Sequence, residues 1–106
     1  MYQVIIFIYD EKYFEDIMTV LTAIGINEAF IVEGLNMTNV LAFHVPIFAG
    51  LRAELKHSPK FCKIIFTFIE DKETIDELVE SIEDSGINNK NKKVYSIVYY
   101  PVEKIE

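Results

Sequence analysis

The chain repeats itself. Ile5-Ile6-Phe7 recurs as Ile64-Ile65-Phe66, and Gly25-Ile26-Asn27 recurs as Gly86-Ile87-Asn88. Self-similarity on this scale restricts the fold to one that uses the same supersecondary unit twice. Asp10 and Asp71 stand where each helical stretch begins, placed to accept hydrogen bonds from free backbone N–H groups and to oppose the helix dipole. Gly25 and Gly86 stand just past each helix end, where a left-handed cap favours glycine. Between these signals Phe14, Ile17, Met18 and Leu21 fall at i, i+3, i+4, i+7, and Ile75, Leu78, Val79 and Ile82 repeat that spacing. Each set predicts an amphipathic helix with one buried stripe.

Apolar, β-rich runs flank both helices. Residues Tyr2 to Tyr9 and Lys63 to Ile69 precede them, and Ala29 to Val32 and Val94 to Tyr100 follow. The order β-α-β, β-α-β predicts an α+β, ferredoxin-like (split βαβ) domain spanning 1–106, with both helices on one face of a four-stranded antiparallel sheet.

The strands carry more apolar side chains than one helical layer covers. In the first, Tyr2, Val4, Ile6 and Ile8 share one face while Ile5, Phe7 and Tyr9 share the other, beyond Gln3. The third sets Ile64, Phe66 and Phe68 against Ile65 and Ile69, and the fourth sets Val94 and Val98 against Tyr95, Ile97 and Tyr99. Leaving one face in water forgoes roughly 1.5 to 3 kcal/mol for each large side chain. The second face is therefore expected to be an interface between copies of the chain. The alternative is that the segment from Asn36 to Lys60 folds back over it.

Seventeen acidic residues against ten basic ones leave a net charge of −7, which repels nucleic-acid backbones and lipid headgroups. The longest apolar run, Val4 to Tyr9, is far shorter than the roughly 20 residues that span a bilayer. With no secretory signal in view, a cytoplasmic protein without membrane insertion is expected. The single Cys62 forms no internal disulfide, and the Asn36-Met37-Thr38 sequon has no meaning without secretion.

The ending Lys92-Lys93-Val94-Tyr95-Ser96-Ile97, followed by Pro101-Val102-Glu103, resembles that of the PII (nitrogen regulatory protein P-II) signalling superfamily. Glu33-Gly34 is similar to the Glu-x-x-Gly stretch that opens the T-loop of that family. The resemblance implies a homotrimer whose three sheets pack around a central axis. It also implies an adenine nucleotide (AMP, ADP or ATP) bound between subunits, and a T-loop that reports ligand state to a regulated transporter or enzyme. Carried onto this chain, the implied ligand-binding residues are Gly34, Asn36, Lys60, Gly86, Lys90, Lys92 and Lys93.

The turn from Ser85 to Lys93 stands where the family's phosphate-binding loop lies, and it holds one glycine. A loop that wraps phosphate needs glycines so that backbone N–H groups approach closely. The family's pattern also continues past Pro-Val-Glu with phosphate-contacting arginines, whereas Lys104, Ile105 and Glu106 follow here. A mononucleotide, a diphosphate or another small anion is accordingly as well matched as ATP.

The segment from Asn36 to Lys60 replaces a long polar T-loop and is unusually apolar. Its spacing of Phe48, Leu51, Arg52 and Leu55 predicts a short helix within Ile47 to Leu55. Phe43, Ile47, Phe48, Leu51 and Leu55 are the expected partner-binding residues. A second reading, from a different class, is a ligand-independent scaffold that docks permanently on a protein through this segment. A third is a metal-handling protein of the trimeric CutA type.

No Walker sequence, nucleophile elbow or Cys-x-x-Cys pair is present, so no enzyme activity is expected. His44, His57 and Cys62 lack a recognised metal-ligand spacing. The carboxylates of the second helix read as a solvated face.

Overall fold

In the computed structural model, which describes residues 1–52 and 61–106, the two copies of the unit form one four-stranded sheet backed by two helices. β1 (Tyr2–Ile8) leads through a 3-10 turn (Glu11–Tyr13) into α1 (Phe14–Ala23), and β2 (Ala29–Leu35) follows. The connection carries α2 (Met37–His44) and a second 3-10 turn (Pro46–Arg52). The second copy is β3 (Phe61–Ile69), α3 (Lys72–Asp84) and β4 (Tyr95–Pro101). The strand order is β2-β3-β1-β4 with every neighbouring pair antiparallel, an α+β arrangement compatible with the ferredoxin-like fold.

The helix ends are set by local hydrogen bonding. Asp10 accepts from the Lys12 N–H at 3.1 Å, so it caps the 3-10 turn that runs into α1 rather than the α-helix itself. Asp71 accepts from the Thr74 N–H at 2.8 Å and from the Thr74 hydroxyl at 2.7 Å, bonds that lower its carboxyl pKa. At the far ends the paired bonds Ile26 N to Leu21 O and Gly25 N to Thr22 O close α1. Ile87 N to Ile82 O and Gly86 N to Glu83 O close α3 in the same way. These are Schellman pairings, and they require the left-handed backbone that Gly25 (φ +91°) and Gly86 (φ +85°) adopt. A Cβ at Gly25 meets nothing within 4 Å, so Gly25→Ala is charged for conformation alone. It is expected to lower stability by about 1 to 2 kcal/mol, read as a shifted urea midpoint at unchanged slope.

The core lies between the helices and one sheet face. Val4, Ile6 and Ile8 of β1, Ile65 and Ile69 of β3, Ile17 and Leu21 of α1, and Ile75, Leu78 and Ile82 of α3 are all buried there. Thr67 shares this face, and its hydroxyl donates to the Glu28 carbonyl at 2.8 Å, satisfying a buried polar group. All the acidic residues of α3 face solvent, as its spacing implied.

The opposite face has no protein layer over it among the described residues. The register aligns Phe30, Phe66, Ile5 and Val98 in one row across all four strands, and Val32, Ile64, Phe7 and Ser96 in the next. Phe30 is 71% exposed and Phe68 59%. Gln3, Cys62 and Tyr100 complete this face, which carries no charged side chain from any strand. The part of the connection from Met37 to Arg52 does not blanket it, since α2 packs chiefly on the 3-10 turn that follows.

Three expectations are corrected. The short helix expected at Ile47 to Leu55 is a 3-10 turn as far as Arg52, and the α-helix of this segment is α2, which Asn36 caps and which ends before Pro46. Pro46 disfavours helical backbone at the preceding residue, so a helix entering from Asn36 stops there. Glu33 and Gly34 lie inside β2 rather than beyond it, because β2 stays paired to β3 as far as Leu35 with Phe61. Val94 precedes β4 and is buried in the core instead of sharing the outer face with Val98, its N–H donating to Asn89 Oδ1 at 2.7 Å.

Candidate functional site

Antiparallel pairing gathers four chain segments at one end of the sheet. β1 finishes there at Ile8, opposite Lys63 on one side and Tyr95 on the other. β2 finishes there too, with Gly34 opposite Cys62 and Leu35 opposite Phe61. α3 also ends there, so Gly86 and the turn that carries Lys90, Lys92 and Lys93 come to the same end of the sheet, beside β4, the edge strand opposite β2. Of the expected ligand residues, Gly34, Asn36, Gly86, Lys90, Lys92 and Lys93 therefore share one end of the molecule. Lys60 lies outside the described residues.

The turn organises itself with asparagine side chains. Asn88 Oδ1 accepts from the Lys90 N–H at 3.0 Å, and Asn89 Oδ1 accepts from the N–H groups of Val94 and Tyr95 at 2.7 and 3.0 Å. One backbone donor of the turn itself, that of Lys90, and the two that follow it at the entry to β4 are thus engaged within the chain. Any anion held here depends mainly on the lysine ammonium groups.

Those ammonium groups have partners of their own. Lys92 Nζ is 2.7 Å from Asp10 Oδ2, and each group stabilises the other's charged form: Lys92 lowers the Asp10 pKa and Asp10 raises that of Lys92. Lys93 Nζ lies 4.7 Å from the centre of the Tyr9 ring, over its π face. The Tyr9 N–H donates to the Val94 carbonyl at 2.8 Å, and the Phe7 and Tyr9 rings stack with centroids 6.5 Å apart. On the helix side Lys63 reaches Glu33 at 3.3 Å and covers the Phe14 ring at 4.6 Å. Lys90 is exposed.

The remaining expected residues have structural duties. Asn36 Oδ1 accepts from the Thr38 N–H at 2.9 Å, capping α2. Gly34 sits against Ile64, whose Cδ1 would lie 3.3 Å from a Cβ placed there. Burial pushes the Cys62 thiol pKa up, while the Ile8 backbone and Lys93 pull it down. Among the described residues no group of three His, Cys, Asp or Glu side chains is placed to hold a metal ion.

Of the expected partner-binding residues, Phe43 and Ile47 are exposed, Ile47 by 83%, and Met37 and Leu35 join them. The side chains of Phe48 and Leu51, and all of Leu55 and His57, lie outside the described residues. A separate cavity of about 460 Å³ lies at the opposite end of the sheet, between Phe30, Phe66, Phe68 and Val102, away from the lysine turn.

Sequence reasoning missed Asp10 and Tyr9 as members of the lysine end. In the sequence Asp10 reads only as a cap, yet its position two residues past Ile8, the last paired residue of β1, sets it beside the entry to β4. No described helix is long and apolar enough to cross a membrane. No family model and no curated protein matches the chain.

Proposed function

We propose that the chain is a PII-like regulator that assembles as a cytoplasmic homotrimer. A small anionic effector, an adenine nucleotide or a smaller anion, binds where the lysine end of one sheet meets its neighbour. The segment from 36 to 60 is the output, and it acts on a regulated transporter or enzyme. What supports this reading is that the base of that segment, at Gly34 and Asn36, and the Lys90 to Lys93 turn stand at the same end of the sheet, on its two outer strands, where neighbouring subunits of a trimer could bring them together. Both stand at the rim of a sheet face to which the strands contribute no charged side chain. Ligand binding at such a rim favours one arrangement of the adjoining segment over another, by as much as its affinities for the two arrangements differ.

Isothermal titration with AMP, ADP, ATP, cyclic dinucleotides and bicarbonate tests the effector. One of them is expected to bind saturably, with one site per chain. Silence across the panel removes the effector and turns the reading to the ligand-independent scaffold, which the exposed Met37, Phe43 and Ile47 favour. A scaffold co-purifies with its partner from the native host at any nucleotide concentration, whereas a regulator's association changes with its effector.

A further inference from the structure

We propose that Asp10 is a built-in competitor of the anionic effector: its carboxylate holds Lys92 in the unliganded protein, and the anion binds by taking its place. This rests on the effector reading above and adds a residue that decides which anions are admitted. The carboxylate is divided between two tasks. Oδ1 accepts from the Lys12 N–H at 3.1 Å and caps the turn into α1, while Oδ2 takes the Lys92 ammonium at 2.7 Å. The two partners are also unequally placed, since the Asp10 side chain is 18% exposed and that of Lys92 68%. An anion arriving from solvent therefore meets the ammonium first and the carboxylate behind it.

With its Lys92 end in solvent the pair is screened by salt and its ammonium is open to a second anion, so a well-charged ligand can exchange for the internal partner. A polyanion such as a nucleotide phosphate gains two contacts at once if it also draws Lys90, whereas a monovalent anion gains little over the carboxylate already present. The exchange makes Asp10 a threshold: it lowers affinity for every anion and rejects those of low charge. Loss of the pair also unties the turn before β4 from the end of β1, joined otherwise by the Tyr9 to Val94 backbone bond and the Lys93 to Tyr9 contact.

Asp10→Asn separates the two tasks of the side chain. The amide oxygen keeps the cap, at which asparagine and aspartate are equivalent, and the amide nitrogen cannot accept from Lys92. Titration of wild type, Asp10→Asn and Lys92→Gln with inorganic phosphate and with ATP at low ionic strength is the test. Asp10→Asn is expected to bind ATP about five- to tenfold more tightly, the occupancy of an exposed pair plus the repulsion of a nearby carboxylate. Lys92→Gln is expected to bind more weakly, and Asp10→Asn combined with Lys92→Gln to lose the gain.

Opposite signs from the two halves of one ion pair identify competition. A purely structural pair moves both variants toward weaker binding, and that result overturns the proposal, as does unchanged affinity in a folded Asp10→Asn. Binding by Asp10→Asn with a silent wild type supports it. Binding of bicarbonate or a cyclic dinucleotide with no response to phosphate or ATP in any variant overturns the competitor while leaving the effector reading in place. Silence of every variant toward the whole panel overturns both.

Discussion

Phe66→Glu is expected to run as a 12.3 kDa monomer in light scattering, against about 37 kDa expected for the wild-type chain as the proposed trimer. Phe66 occupies the central row of the uncovered sheet face, between Phe30 and Ile5, and no strand supplies that face with a charge to meet a carboxylate. An ionised group forced into a dry interface costs several kcal/mol unless paired, more than most protein contacts return. Phe66 points away from both helices, so the helix-side core is untouched and far-UV circular dichroism should match wild type. A Phe66→Glu protein that keeps the wild-type mass shows that copies meet elsewhere. A wild type that is monomeric at micromolar concentration removes the trimer, and with it the cleft between subunits.

Ile6→Ala probes the other face. Ile6 has no exposed surface, sits mid-strand in β1, and is flanked in register by Ile65 and Ile97. Removing three carbons from such a site loses their transfer free energy and leaves a cavity, together about 2 to 5 kcal/mol. Domains of this size hold roughly 5 to 15 kcal/mol in all, so the fall in Tm is expected to exceed about 10 °C. The comparison must be made at one protein concentration, since the proposed association through the opposite face would add stability by mass action. A fall of a degree or two would mean that the helix-side layer contributes little to the fold.

These two positions show what the sequence made legible. Alternation gave each strand two apolar faces, and the register that pairs Ile5 with Phe66 settles that Ile6 and Phe66 lie on opposite ones. The Asp and Gly signals bracketed both long helices, with Asp10 capping the 3-10 turn that leads into α1. The connection was harder to read. The spacing of Phe48, Leu51 and Leu55 drew the helix too far along, while α2 offers no clean apolar stripe and is set by a cap at Asn36 and a proline at 46. Val94 was lost to a different cause: its alternation fits a strand, but Asn89 holds its N–H and turns it into the core.

The site was legible in part. The resemblance brought the lysine turn and the base of the connection together, and antiparallel topology places them at one end. What stayed hidden were the partners already holding the lysines. Asp10 and Lys92 are 82 positions apart, and no local pattern in a sequence announces a pair made by register.

The strand order also bears on how the protein is made. Among the described residues β1 pairs with β3 and β4, and β2 with β3, so the first βαβ half contains no strand pair of its own there. A nascent chain emerging from the ribosome holds two greasy strands with nothing to zip against until residue 61 and beyond has been synthesised, a wait of seconds at ordinary elongation rates. The amino-terminal copy is a repeat in sequence and yet no folding unit. Each copy completes the other, which is why a gene fragment encoding either half alone would yield a sticky polypeptide rather than a small domain.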